Sequence, residues 1–179
     1  MPTPAEPEPT TALTPDAAAR VIAELTRRGE TVAIAESLTG GLLAATLIAV
    51  PGASAAVSGA VVAYNTAIKH SVLGVDAALL AERGAVDPEV ARQMADGVRR
   101  VLAVDGRAAD YGIATTGVAG PDPQDGQPPG VVYLGVASAA GTRSVGLRLA
   151  GDRSAVRAAS VNAALEALRE ALDGQRPHA

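Results

Sequence analysis

The chain has 179 residues, enough for one domain with a substantial core, and 48% of them are hydrophobic. Its formal net charge of -4 argues against non-specific nucleic-acid binding, which needs a concentrated basic surface. The absence of cysteine excludes disulfides, thiolate nucleophiles and cysteine-based metal sites. Because Phe and Trp are also absent, Val, Ile, Leu and Ala must fill the core.

The two ends of the chain differ from its middle. Residues 1–13 are rich in Pro, Glu and Thr, which predicts a disordered tail without the basic and apolar regions of a signal peptide. Residues 174–179 are predicted to be a flexible tail, and residues 14–173 a single domain. No apolar run approaches the ~18 residues of a membrane span, so we expect a cytoplasmic protein without membrane contact.

Helical and strand-like segments alternate along the chain. The patterns predict helices over residues 14–28, 40–49, 65–72, 76–82, 87–104 and 153–172. They predict strands over residues 31–36, 56–64, 111–119, 131–138 and 142–149, the last two joined by the tight turn "AAG". Residues 120–130, "GPDPQDGQPPG", predict an irregular loop.

Helices between the early strands indicate crossover connections, and the late hairpin adds antiparallel pairing. The sequence therefore predicts an α/β fold, a three-layer α/β/α sandwich on a mixed, mostly parallel sheet.

The inventory of catalytic side chains is short. His178 lies in the tail, so His70 is the only candidate for a catalytic imidazole, and a Cys-His site is impossible. We predict no metal site, although an oxygen site built on Asp122 and Asp125 remains an alternative.

Lysine usage singles out one position. The chain contains 14 arginines and a single lysine, Lys69. Arginine stays protonated in proteins, whereas a desolvated lysine can lose its proton near neutral pH and act as a base. Lys69 is therefore a candidate base, and the alternative is a lysine kept by chance on a helix surface.

The segment "ESLTGG" places Ser37 between a strand and a helix. Ser37 is a candidate helix cap, part of a phosphate cradle, or a nucleophile. Thr39 can supply the cap equally well, and Gly40 and Gly41 allow a ligand to approach the backbone. The segment matches neither a phosphate-binding loop nor the G-x-S-x-G signature, so the motif alone leaves the three alternatives open.

Three further segments follow the same logic. "AYNTAIK" places Tyr64 at a strand end leading to Lys69, although Tyr64 also fits the rim of a sheet. "TTGVAGPD" ends a strand in hydroxyls and glycines, including Thr116 and Gly117, and the alternative is a tight turn. In "GDRSAVR", Arg153 suits a phosphate or carboxylate but can equally pair with Asp152.

In this order, the segments "AESLTGG", "GAVVAYNTAIKHSVLGV", "GAVDPEVARQMADGVRR", "ATTGVAGPD" and "GDRSAVR" resemble the C-terminal domain family of the competence/damage-inducible protein CinA. The resemblance covers residues 15–172. It implies a three-layer α/β/α sandwich and an amidase that hydrolyses nicotinamide mononucleotide to nicotinic acid mononucleotide and ammonia, without a cofactor. Because the family's larger members carry a further N-terminal domain, we expect a stand-alone version.

The resemblance also assigns roles to residues. It implies a Ser/Lys pair with Ser37 as nucleophile and Lys69 as base, and Tyr64 as a proton relay. Substrate binding falls to the remaining residues of the matched motifs: Thr39, Gly40, Gly41, Thr116, Gly117 and Arg153. Backbone N–H groups around Thr39–Gly41 or Gly117 are expected to hold the oxyanion.

Two departures from the family pattern are Leu38, where many relatives carry cysteine, and Pro123, where relatives often have glycine. The runner-up function is a non-catalytic domain that binds a pyridine nucleotide in a competence or DNA-damage response. The partners we expect are a nucleotide substrate and a second copy in a homodimer, and no nucleic acid.

Overall fold

A computed structural model describes residues 15–174, so both predicted tails lie outside the described residues, except for Gly174. The elements in chain order are α1 (Pro15–Arg28), β1 (Val32–Glu36), α2 (Leu42–Ile48), β2 (Val57–Val62), α3 (Thr66–Ser71), α4 (Ala77–Arg83), α5 (Pro88–Val101), β3 (Tyr111–Gly117), β4 (Val131–Ser138), β5 (Gly141–Arg148) and α6 (Arg153–Gly174). Within this part of the chain, no helix is long and apolar enough to cross a membrane.

The element boundaries differ from the predicted ones at a few places. Helix α2 begins at Leu42 because Gly40 and Gly41 have φ angles of 62° and 96°, which a helix cannot contain. The hairpin turn holds two residues rather than three, since Ser138 pairs with Gly141. A short 3-10 turn at Ala53–Ala55 was not predicted.

The five strands form one mixed sheet in the order β2-β1-β3-β4-β5. β1 pairs in parallel with β2 and β3, and the β3–β4 and β4–β5 pairs are antiparallel. Four strands thus run in one direction, and only β4 opposes them. Because the chain leaves β1 for β2 on one side and returns to β3 on the other, the carboxyl ends of these strands flank a topological switch point, where α/β proteins bind ligands.

Side-chain alternation along the strands separates the two helical layers. Val32 and Ile34 of β1 join the core formed with α1, α2 and α6. Ala33 and Ala35 point to the opposite face and join the core that includes α5. The predicted three-layer α/β/α sandwich is confirmed.

Small residues on the α5 face of the sheet let this helix approach the strands closely. A Cβ at Gly112 would lie 1.9 Å from the carbonyl oxygen of Ala95, and one at Gly135 would lie 1.9 Å from that of Ala91. The distance between helix and sheet is therefore set by backbone contact. This close packing is consistent with a core without Phe or Trp.

Candidate active site

Ser37 directly follows β1, at the switch point of the sheet. Its N–H donates to the carbonyl of Thr115 at 2.9 Å, which continues the β1–β3 ladder by one residue. Its carbonyl accepts the N–H of Gly40 at 3.1 Å, which closes a tight turn over Leu38 and Thr39. The strand ladder and the turn together fix the backbone of Ser37.

A buried carboxylate occupies the start of α2. Glu36 is fully buried and accepts the N–H groups of Gly41 at 3.0 Å, Leu43 at 3.1 Å and Ala44 at 2.8 Å. Glu36 therefore caps the helix in place of Ser37 or Thr39, and its charge suits the positive end of the helix dipole. The predicted binding role of Gly40 and Gly41 needs correction, since their N–H groups already have internal partners.

Lys69 reaches Ser37 from α3. Its Nζ lies 3.0 Å from Ser37 Oγ and donates to the carbonyl of Ala63 at 2.8 Å. Lys69 is 1% exposed and Ser37 8% exposed. The sole lysine of the chain is thus buried beside the serine, and the alternative of a surface lysine is wrong.

Burial changes the acid–base behaviour of Lys69. Desolvation lowers its pKa to about 8, and the negative charge of Asp125 opposes this shift. At pH 7, roughly one molecule in ten then carries the neutral amine. In that form an N–H can donate to Ala63 while the lone pair accepts the proton of Ser37.

Ser37 opens onto a cavity of about 150 Å³ between the strand ends and the loop that follows β3. The lining combines the serine, residues of the segments that follow β1 and β3, and a few polar side chains: Ser37, Leu38, Tyr64, Gly117, Val118, Ala119, Gly120, Asp122, Gln124 and Arg153. Gly117, Tyr64 and Arg153 thus line the same cavity as Ser37.

Arg153 and Tyr64 form one wall of this cavity. Arg153 donates to the carbonyl of Gly120 at 2.9 Å and to the hydroxyl of Tyr64 at 3.1 Å. Asp152 instead caps α6 by accepting the N–H of Ala155 at 2.9 Å. Since Tyr64 is 60% exposed and bonded to Arg153, its hydroxyl belongs to the mouth of the cavity rather than to the Ser37–Lys69 pair.

The two threonines at the end of β3 point to opposite faces of the sheet. The hydroxyl of Thr116 donates to the carbonyl of Ala85 at 2.6 Å, so its prediction as a pocket residue needs correction. Thr115, which we did not predict, lies 2.7 Å from Thr39, hydroxyl to hydroxyl, and both are buried. Thr39 therefore anchors the turn after Ser37 to β3 rather than facing the cavity.

Arg157, one helical turn after Arg153, was also missed from the sequence. It donates to the carbonyls of Leu38 at 3.1 Å and of Thr39 at 2.8 Å. Its guanidinium thus ties α6 to the turn that follows Ser37.

The alternative oxygen-ligand metal site has no support in the geometry. Asp125 Oδ2 accepts the N–H of Ala85 at 2.8 Å, and residues 15–174 contain no cluster of three or more His, Asp or Glu side chains that could hold a metal ion.

The fold and this site define an α/β sandwich protein with a buried serine–lysine pair beside a surface cavity. Residues 15–172 match the model of the CinA C-terminal domain, and the chain belongs to this family. The chain is 49% identical over 154 residues to a CinA-like protein of Frankia casuarinae, covering 86% of this chain and 34% of the relative. A putative competence-damage inducible protein of Desulforamulus reducens is 45% identical over 147 residues, which is 82% of this chain and 34% of the relative. The chain thus spans about a third of the length of these curated relatives.

Solved structures share the whole described fold. The competence damage-inducible protein A of Klebsiella pneumoniae superposes with a TM-score of 0.85 at 35% identity, covering 92% of this chain and 100% of that chain. A CinA superfamily protein of Escherichia coli gives a TM-score of 0.83 at 28% identity, covering 93% of this chain and 94% of that chain.

Proposed function

We propose that the protein is a nicotinamide-nucleotide amidase, which converts nicotinamide mononucleotide to nicotinic acid mononucleotide and ammonia. The observation that carries this proposal is the 3.0 Å contact between Ser37 Oγ and the buried Nζ of Lys69. A serine beside a neutral amine is an activated nucleophile, and a carboxamide is an electrophile that such a pair can attack.

The reaction begins with proton transfer from Ser37 to neutral Lys69. Ser37 Oγ forms a bond to the amide carbon while Nζ takes the hydroxyl proton, which gives a tetrahedral oxyanion. The ammonium of Lys69 then donates that proton to the amide nitrogen, and the C–N bond breaks to release ammonia. A water molecule attacks the ester by the same route, with Lys69 taking its proton and returning it to Ser37.

Two backbone N–H groups suit the oxyanion. Leu38 and Ala119 both line the cavity, and within residues 15–174 their N–H groups have no hydrogen-bond partner. The N–H of Leu38 belongs to the residue directly after the nucleophile, a position that serves the oxyanion in other serine hydrolases. These groups replace Gly40 and Gly41 as the donors in our account.

Arg153 is our candidate for the nucleotide phosphate. It lines the cavity, and within the described part of the chain it forms no ion pair with a carboxylate. Its bonds to Gly120 and Tyr64 hold the guanidinium in place, so a phosphate meets a preorganised cation. Asp122 and Gln124 offer acceptors for the sugar hydroxyls.

Replacing Arg153 with alanine is expected to raise KM for the mononucleotide by about 10- to 100-fold, because a charge-assisted hydrogen bond is lost. The matched comparison is nicotinamide riboside, which lacks the phosphate. KM for the riboside should change little in Arg153→Ala. An equal rise for both substrates would show that Arg153 does not bind the phosphate.

We expect kcat/KM to rise with pH and to level off above about pH 8, because only neutral Lys69 accepts the proton of Ser37. Asp125→Asn removes the charge that raises the pKa of Lys69, so the rise should move to lower pH. Asn keeps an acceptor for Ala85 and tolerates the φ of 49° at this position.

The control for this pH measurement is Asp105→Asn. Asp105 has a similar φ of 52° but lines a cavity at the opposite end of the sheet, near Thr31. Its profile should coincide with that of the wild type. An unshifted profile in Asp125→Asn would contradict the assignment of the observed pKa to Lys69.

The function itself is tested by incubating the purified protein with nicotinamide mononucleotide and measuring ammonia and nicotinic acid mononucleotide together. We expect equal amounts of both products. A folded protein that binds the nucleotide and releases no ammonia would support the non-catalytic binding domain instead.

A further inference from the structure

Two charged side chains of opposite sign bind the backbone around the turn that follows Ser37. Buried Glu36 takes N–H groups at the start of α2, whereas Arg157 of α6 takes the carbonyls of Leu38 and Thr39. Arg157 is half-buried and forms no ion pair within residues 15–174. By comparison, Arg169 on the same helix pairs with Glu166 and Asp173. The charge of Arg157 is thus directed at two peptide groups.

A hydrogen bond that fixes a carbonyl also fixes the direction of the N–H in the same peptide unit. Because the peptide unit is planar and trans, an N–H points away from the carbonyl of the preceding residue. The bond from Arg157 to the Thr39 carbonyl therefore fixes the direction of the Gly40 N–H, which donates to the carbonyl of Ser37. The bond from Gly40 to the Ser37 carbonyl fixes the Leu38 N–H in the same way.

The N–H groups of Leu38 and Thr39 make no hydrogen bond within the described residues, and of the two residues only Leu38 lines the cavity. Leu38 is 4% exposed, and buried N–H groups without a partner are rare in native structures. This N–H directly follows the nucleophile.

We propose that Arg157 is a positioning residue, which holds the turn after Ser37 so that the N–H of Leu38 stabilises the oxyanion formed at Ser37. This inference rests on the proposed serine chemistry and deepens it. Arg157 lies outside the cavity lining and acts through the backbone. Its Nε and Nη2 donate to the two carbonyls from one rigid plane, a geometry that the flexible side chain of lysine does not preserve.

The test compares wild type, Arg157→Lys and Arg157→Ala in two assays. In the first, a phosphonyl fluoride probe labels Ser37, and this reaction needs the nucleophile and oxyanion donors but no nucleotide. In the second, kcat and KM for nicotinamide mononucleotide are measured. We expect labelling and kcat to fall together by about 10- to 100-fold in both variants, with KM changed less than threefold. Free guanidinium should restore part of the rate in Arg157→Ala.

Arg169→Ala is the matched control, because it also removes an arginine from α6 but one that pairs only with acidic side chains. Its labelling rate should equal that of the wild type. Thermal unfolding checks each variant, and Arg157→Lys decides the question if Arg157→Ala does not fold.

The inference would be overturned if folded Arg157→Lys had the same labelling rate and kcat as the wild type, or if only KM changed. A wild type that is labelled at Ser37 but does not hydrolyse the mononucleotide would refute the proposed substrate, while the labelling rates would still test Arg157. A wild type that is not labelled at Ser37 would refute both.

Discussion

Replacing Lys69 with arginine is expected to lower kcat for amide hydrolysis by about 10²- to 10⁴-fold, the range that general acid–base catalysis contributes. Arginine keeps the positive charge but stays protonated, so it cannot take the proton of Ser37. Binding of nicotinic acid mononucleotide should be largely kept, because Lys69 is not part of the cavity lining. Steady-state kinetics and product-binding calorimetry measure the two effects separately.

His70→Gln is the matched control for this experiment. His70 follows Lys69 in the chain, and its Nδ1 lies 2.7 Å from the carbonyl of Val75. Its loss should leave kcat unchanged, which excludes a histidine base. Wild-type turnover in Lys69→Arg would contradict the role of Lys69, whatever the substrate.

Replacing Gly135 with alanine is expected to lower the free energy of unfolding by about 3 kcal/mol, through overpacking of the α5 layer. The new Cβ would lie 1.9 Å from the carbonyl oxygen of Ala91 and 3.1 Å from the Cβ of Ala95. The obstacle is helix backbone, so α5 must move away from β4 and lose contact along its length. Denaturant unfolding of the two proteins measures the difference.

Gly146→Ala is the control, since it places the same methyl group on the neighbouring strand β5. There the new Cβ would lie 3.2 Å from the ring of Tyr133, which is half-buried and can shift. We expect a change within about 1 kcal/mol. Similar losses in both variants would contradict the claim that backbone contact sets the position of α5.

The layers of this fold were predictable because helices separate the early strands, which indicates crossover connections over the faces of the sheet. In β1, Val32 and Ile34 alternate with Ala33 and Ala35, and the two sets face different helical layers. The exact start of α2 was less predictable. It depends on the left-handed conformations of Gly40 and Gly41, which two consecutive glycines permit but do not require.

The rarity of a residue type predicted one site residue better than membership of a motif predicted another. The rarity of lysine pointed to Lys69, and its burial beside Ser37 follows that expectation. Thr116 was misplaced because neighbouring residues of a strand face opposite sides of the sheet. A shift of one residue separates Thr115, which meets Thr39, from Thr116, which meets Ala85.

The side chains that hold the turn and loop around Ser37 could not be predicted from the sequence. Arg157 binds carbonyls more than a hundred residues earlier in the chain, and no local pattern records that contact. Glu36 precedes Ser37 directly, yet a glutamate at the end of a buried strand gives no sign that it caps the following helix. Asp125 lies in an irregular loop whose path depends on tertiary packing.

The central claim is that Ser37 is a nucleophile, and the most direct measurement is ammonia release from nicotinamide mononucleotide by wild type and Ser37→Ala side by side. We expect turnover by the wild type and a loss of about 10³-fold or more in a folded Ser37→Ala variant that still binds the product. Ammonia release by Ser37→Ala at the wild-type rate would contradict it.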